Sequence, residues 1–411
     1  MLITKFFADN LYSFDNAELD LTIQREPKRS IIDAEYLEER PKFRFKRVCI
    51  LSGANATGKT NLGRLMHSVQ HFVVSHEIEP MATYLKKIVS DASKKASVQL
   101  EYVTPIDNKL HLLEIILLPE NTSKALLIKY RAILIPKNAT AQASRKKLLS
   151  IDSTDVSSKQ NKIYIEANPQ QDDITYLSKV IEIWNQNKSD TALFGWRYYL
   201  SHTINKQEIQ KSDIKINVLQ NILTTFDSSI EEVTEIFTKQ GKDKEPTGFL
   251  IKFSNSHQVI LDIAGEMTNG SMERLSKGTY EAIHVANFVS RVFSDRDYIQ
   301  SKNNTISLTY YLDESMAFSH TELEIAVVNL IVQKLPRFAQ FFYTTHNHDI
   351  LEMAYPTHTY AFLAKKRDGK THFIQPEHLF KRNDRQLINY VKNNVFHTLP
   401  KTTGIDKLLD Y

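Results

Sequence analysis

Residues Gly53, Ala54, Asn55, Ala56, Thr57, Gly58, Lys59 and Thr60 spell Gly-x-x-x-x-Gly-Lys-Thr, with Asn61 and Leu62 following. In this spacing the glycines let successive backbone N–H groups curl around a phosphate. The lysine reaches the β- and γ-phosphates, and the threonine hydroxyl ligates Mg2+. A plain tight turn with a solvated lysine needs neither a strand before it nor a helix after it. Both are expected here. Val48–Leu51 is a short apolar run suited to a buried parallel strand, and a helix is expected from Asn61 to about Val74. The positive end of that helix would face the anion.

Three more segments carry chemistry. Residues 305–314 (Thr-Ile-Ser-Leu-Thr-Tyr-Tyr-Leu-Asp-Glu) read as a strand ending in adjacent carboxylates. Asp313 would hold Mg2+, and Glu314 would orient and deprotonate an attacking water. In isolation the pair also suits a strand end with two solvated acids. Thr305, Ser307 and Thr309 alternate with Ile306 and Leu308, which predicts one partly polar face. Residues 339–346 form an apolar strand that delivers His346 at its C-terminal end, where open parallel sheets bind ligands. A histidine there can contact a γ-phosphate and sense its loss, or be structural. Leu275, Ser276, Lys277 and Gly278 precede a helical run, Tyr280–Phe293. Ser276 and Gly278 at a helix start suit an anion; Ser276 and Thr279 are also good capping residues.

The chain that must position these groups has 411 residues, room for two or three folding units. Hydrophobic residues make up 42% and charged residues 24%, which excludes a wholly disordered chain. Net charge is 52 − 48 = +4, too weak alone to argue for nucleic acid. One cysteine, Cys49, excludes an internal disulfide framework and fits a reducing compartment. No apolar run reaches membrane-spanning length, and the start has no basic region followed by an apolar core, so a cytoplasmic protein without membrane contact is expected. Only 11 glycines occur, and six fall in two windows: Gly53, Gly58 and Gly63, then Gly265, Gly270 and Gly278. Such scarcity suggests that each marks a place where the backbone needs it.

Taken in order, the four segments resemble the Walker A, signature, Walker B and switch histidine of an ABC-type ATPase head. The similarity is to the bacterial AAA-domain ABC ATPases related to RecF, the SMC proteins and the OLD nucleases. Asn10-Leu-Tyr-Ser13-Phe14 resembles that family's first-strand pattern, Ser319-His320 its D-loop, Phe226-Asp227-Ser-Ser-Ile230 a mid-domain turn, and Arg382–Pro400 its C-terminal segment. The resemblance implies ATP and Mg2+ as ligands and a homodimer in which Ser276 and Gly278 of one copy close on the γ-phosphate held by Lys59 of the other. Lys59 and Ser276 are 217 residues apart, about twice what a transporter head needs. Gln99 is the candidate for the glutamine loop. Where many relatives have two glycines, this signature reads Lys277-Gly278-Thr279.

The fold expected is α/β: an ABC-type head with a P-loop mixed sheet, an antiparallel β-lobe and an inserted helical lid. The division expected is 1–80 for the N-terminal part of the head, 81–260 for the lobe and lid, and 261–411 for the C-terminal part. Ser97–Tyr102, Lys109–Leu118 and Lys124–Ile135 read as antiparallel strands, and Ile174–Trp184 and Ile209–Phe226 as helices. Residues 137–162, with Arg145-Lys146-Lys147, read as an exposed loop that either touches nucleic acid or is solvated. Trp196, Tyr198 and Tyr199 read as core. No heptad pattern persists, so a long coiled coil is not expected.

Nuclease motifs fit poorly. His346-Asn347-His348 lacks the spread of an HNH site, and Arg367-Asp368-x-x-x-His372 falls on an expected hairpin, Phe362–Lys366 with Thr371–Ile374, rather than a helix. The 65 residues after His346 are too few for a nuclease domain of the OLD kind. A separate effector, a nuclease or toxin, is therefore the expected partner, as in anti-phage modules of the PtuA-like and retron-associated type. The alternative is an ATP-switched DNA clamp of RecF or SMC type in repair.

Overall fold

A computed structural model describes residues 1–25, 30–75, 77–119, 126–151, 162–167, 196–201, 214–237, 246–268, 275–302, 306–380, 386–399 and 403–410. The chain divides into two compact units. Unit 1 comprises residues 1–200, 305–311 and 337–411; unit 2 comprises 201–304 and 312–336.

Among the described residues, unit 1 contains two six-stranded sheets. The first is antiparallel, in the order β2(Ala17–Asp20), β1(Leu2–Asp9), β6(Ala96–Thr104), β7(Lys109–Leu117), β8(Leu126–Leu134), β9(Lys162–Ala167). The pair β3(Tyr36–Leu37) and β4(Arg40–Arg44) forms a small ribbon of its own. The second large sheet is mixed, in the order β10(Trp196–Leu200), β14(Ser307–Asp313), β15(Ala339–Thr345), β5(Val48–Ser52), β16(Tyr360–Lys365), β17(Thr371–Ile374). Strand β5 runs parallel to β15 and β16, and β10 parallel to β14, while β17 returns antiparallel. Strands β6 to β8 fall within the segment 81–260 of the sequence division yet pair through β1 with the N-terminal residues.

Helix α1(Lys59–Ser75) follows β5 and places Leu62, Leu65, Met66, Val69, Phe72 and Val73 on one buried face. These join Phe6 and Leu100 of the antiparallel sheet and Leu51 and Phe342 of the mixed sheet in one core cluster. Each such side chain, fully buried, stabilises by about 1.5–3 kcal/mol. Helix α2(Ile78–Ile88) adds Met81 and Leu85 to the same core.

The stretch read as an exposed loop at 137–162 is in part helical. Helix α3(Ala141–Leu149) starts at Thr140, whose hydroxyl accepts from the Ala143 N–H. Its buried positions, Ala141, Ser144 and Leu148, lie at helical spacing but are too small and polar to stand out in a Lys/Ser-rich window. Arg145 is not solvated. It forms ion pairs with Asp20 (3.0 Å) and Glu101 (2.8 Å). Burial alone would raise the Asp20 carboxyl; the Arg145 bonds outweigh it and hold it below the usual range. Residues 152–161 lie outside the described residues, as does the helix expected at Ile174–Trp184.

The partly polar face expected on β14 is not exposed: all seven residues from Ser307 to Asp313 are buried. Thr309 is accommodated because the Trp196 indole N–H donates to its hydroxyl at 2.9 Å. Trp196 and Tyr198 are core residues, on β10, while Tyr199 is half-buried.

Unit 2 contains α4(Ile216–Phe226), the antiparallel sheet β11(Ile230–Phe237), β12(Pro246–Phe253), β13(Gln258–Asp262), and helices α5(Lys277–Lys302) and α6(Thr321–Lys334). The helix expected from Ile209 is described only from Ile216. No helix among the described residues is long and apolar enough to cross a membrane.

Candidate functional site

In unit 1 the Gly53–Thr60 loop joins the C-terminal end of β5 to the start of α1. Ala56 (φ 60°) and Gly58 (φ 100°) both adopt left-handed backbone. At Ala56 a side chain pays roughly 1–2 kcal/mol for that conformation. Strain of this kind collects where a loop must aim its N–H groups, as in an anion-binding nest. Gly53 has no alternative: a Cβ there would lie 2.5 Å from the Leu363 carbonyl oxygen on β16.

Lys59 is 3% exposed. Its ammonium donates to the Gly53 and Ala54 carbonyl oxygens at 2.9 and 3.3 Å, and lies 3.2 Å from Nε2 of His346. The parallel pairing of β15 with β5 sets Thr345 opposite Ser52, so the residue after each strand starts from the same sheet edge. The loop lysine and the candidate switch histidine are thus brought together across 287 residues of sequence. The next residues have ordinary roles. Asn347 accepts from the Asp349 N–H through its side-chain oxygen, and His348, lowered by burial, opens a short 3-10 turn.

Two supports of the loop were invisible as such in the sequence. The Thr371 hydroxyl donates to the Thr57 carbonyl (2.9 Å) and is itself bonded to Ser13 (2.8 Å), while Phe14 packs beneath Gly58. Ser13, Phe14 and Thr371 therefore brace the Gly53–Thr60 loop from below. The second support is Tyr311, whose hydroxyl donates to the Lys59 carbonyl at 2.6 Å. Its ring covers Gly63 so closely that a Cβ there would lie 2.7 Å away. A glycine inside an apolar helix was the available signal.

In unit 2, the Asp313 N–H donates to the Ser201 hydroxyl, and Glu314 has left-handed backbone, φ 45°. Non-glycine residues in that conformation carry local strain. Ser276 immediately precedes α5, and its oxygen accepts from the Thr279 N–H at 3.0 Å. The Ser276 and Thr279 hydroxyls are 2.6 Å apart, and Thr279 donates to Asp227 at 2.8 Å. Gly278 lies under the loop after β14: a Cβ there would stand 3.4 Å from the Phe318 carbonyl. Phe318 is exposed, with the Lys277 ammonium 5.1 Å from its ring centre and its N–H donated to Glu281. His320 occupies the N-cap position of α6 without a side-chain capping bond.

Gln99 is not in a loop. It sits on β6, its amide donating to Glu114 at 3.0 Å on β7. Arg367 and Asp368 lie exposed at the β16–β17 turn, where Gly369 has φ 82°, and His372 is on β17, so no helix carries that motif. Among the described residues no group of His, Cys, Asp and Glu is arranged to hold a metal by itself.

No protein-family model and no curated protein matches the chain. Among solved structures, a crystal structure of the SmcHead bound to the C-winged helix domain of ScpA is similar, with a TM-score of 0.44 and 13% identity over 91% of this chain and 97% of that chain. At that score and identity the likeness establishes neither the fold nor an activity.

Proposed function

We propose that this chain binds and hydrolyses ATP as an ABC-type ATPase head, that two copies close around the nucleotide, and that the nucleotide state gates a separate nuclease or toxin in bacterial anti-phage defence. The observation that carries the reading is the approach of Lys59 to His346 at 3.2 Å beside a strained, glycine-bounded loop. The loop suits a polyphosphate: two left-handed residues curl its backbone, and among the described residues the Ser52 hydroxyl at its entrance, which is buried, has no hydrogen-bond partner. The Leu62 N–H returns to the Gly58 carbonyl at 2.8 Å, while the N–H groups before it in α1 have, by helix geometry, no acceptor within the helix.

In this reading the backbone from Ala54 to Asn61 and the Lys59 ammonium bind the phosphates. Thr60 and Asp313 would hold Mg2+, which supplies charge neutralisation between the phosphates. Glu314 accepts the proton of the attacking water, and His346 contacts the γ-phosphate. Ser276 and Gly278 come from the second copy.

Turnover of Mg-ATP by Glu314→Gln tests the assignment. The expected result is a fall of ~10²–10⁴ with ATP binding retained and the dimer accumulating. Normal turnover removes Glu314 from the mechanism.

The DNA-clamp reading draws on one feature. Lys42 and Arg44, two residues apart on β4, line a cavity of about 190 Å³ with Thr22, Gln24, Thr140 and Gln142. Two cations beside amide and hydroxyl groups suit a nucleic-acid backbone. Steep loss of ATP-dependent DNA affinity with salt would favour this reading, and co-purification with a nuclease or toxin the first.

A further inference from the structure

The turn Phe226-Asp227-Ser-Ser-Ile230 has no place in the proposed chemistry, yet its carboxylate reaches the signature loop. Asp227 caps the C-terminal end of α4, and its two oxygens have separate partners. Oδ1 accepts from the Ser229 N–H (3.0 Å) and hydroxyl (2.5 Å); Oδ2 accepts from the Thr279 hydroxyl (2.8 Å). Burial pushes this carboxyl up, but those hydrogen bonds outweigh it and hold it below its ordinary value. An ionised carboxylate only accepts.

That fact fixes the direction of the whole chain of bonds. Thr279 has one hydroxyl proton and gives it to Asp227. Its oxygen must therefore accept in the 2.6 Å contact with Ser276, so Ser276 is the donor there. The Ser276 oxygen also receives the Thr279 N–H. The single proton of Ser276 thus points inward. A phosphate oxygen is an acceptor and needs that same proton.

We propose that Asp227 is a positioning residue of the signature serine: acting through Thr279, it commits the Ser276 proton inward, so that closing on a phosphate requires Ser276 to exchange Thr279 for the phosphate. This rests on the reading of Ser276 as the group that meets a nucleotide held by a second copy. It makes the signature loop reluctant, setting a threshold for closure that a weakly held anion does not pass.

Two substitutions release the proton by different routes. Thr279→Val removes the inward acceptor. Asp227→Asn reverses the chain: Ser229 keeps the amide oxygen, the amide NH2 donates to Thr279, Thr279 donates to Ser276, and Ser276 is left to donate outward. Sedimentation equilibrium of the full chain with Mg2+ and a non-hydrolysable ATP analogue reads the effect. Each variant is expected to associate roughly 25-fold more tightly than the wild type, about fivefold for the one neutral hydrogen bond no longer broken at each of two equivalent Ser276 hydroxyls. Thr279→Ser, which keeps the hydroxyl, should associate like the wild type, and the gain should vanish when Ser276→Ala is added.

If Asp227→Asn and Thr279→Val associate no more tightly than wild type while Ser276→Ala abolishes association, Asp227 is merely structural and the proposal is overturned, with the reading of Ser276 intact. A gain that survives in the Ser276→Ala background also overturns it. If Ser276→Ala associates like the wild type, the reading of Ser276 falls and the proposal with it. Should Asp227→Asn not fold, by circular dichroism, Thr279→Val against Thr279→Ser decides.

Discussion

In the proposed reading the Gly53–Thr60 loop of unit 1 and the Ser276 loop of unit 2 would both present hydrogen-bond donors to an anion, and they are built differently. The phosphate loop is a backbone device. Its curl is set by Ala56 and Gly58, its lysine is packed against loop carbonyls, and its floor is Phe14, Thr371 and the ring of Tyr311. The signature loop is a side-chain device, in which a hydroxyl, a second hydroxyl and a carboxylate each depend on the next. A backbone site tolerates loss of a hydroxyl but not of a glycine or of its one cation. A side-chain relay changes direction when a single acceptor becomes a donor.

That contrast can be broken at several points. Lys59→Ala should have the largest effect. At about 1.5–3 kcal/mol for each of two charge-assisted bonds to phosphate, ATP affinity is expected to fall roughly 10²–10⁴-fold by calorimetric titration. Retained affinity would mean that the backbone alone suffices.

Acid should distinguish the two units next. His111 is buried between Tyr130 (2.7 Å) and Thr104 (2.9 Å), and burial lowers it from 6.5 to about 4. The unfolded chain then binds the proton first, so unit 1 should lose stability as pH falls from 6.5 towards about 4, by about 3 kcal/mol in full. Asp227 is shifted downward from 3.8, so its contribution persists above that value and is lost only as pH falls through the lower folded one. Denaturant unfolding at pH 7.5 and 4.5 should show the loss, and His111→Gln, which cannot titrate, should flatten it.

Gly63→Ala comes third. With a Cβ 2.7 Å from the Tyr311 ring, overpacking should cost about 1–3 kcal/mol in thermal or denaturant unfolding, and Tyr311→Leu should relieve much of it. The smallest effect should be Thr57→Val, which removes one hydroxyl bond to the Ala54 carbonyl. ATP affinity should stay within about fivefold of wild type. A large loss would show that the phosphate loop, too, relies on side chains.

Much of this was legible before any coordinates. The phosphate loop, the strand before it and the helix after it are contiguous, so spacing alone announced them. Buried strands β5 and β15 show as apolar runs because parallel strands are covered on both faces, whereas the alternating Ser307 and Thr309 of β14 conceal an equally buried strand. Helix α3 did not show, since its buried face uses Ala141, Ser144 and Leu148 among lysines. The basic cluster reads as loop because composition does not reveal that Arg145 meets Asp20 on β2 and Glu101 on β6. Strand β10 was hidden in aromatic residues that suit any buried segment.

Local features follow from neighbours along the chain: a glycine-bounded loop ending in Lys59 and Thr60, two carboxylates at the end of a strand, and the places where scarce glycine is needed. Partners distant along the chain come from packing. Tyr311 meets Lys59 across 252 residues, His346 meets Lys59 across 287, and Asp227 meets Thr279 across 52. The reason is physical: backbone conformation is set by neighbours along the chain, whereas the direction of a hydroxyl proton is set by whichever acceptor packing brings within 3 Å.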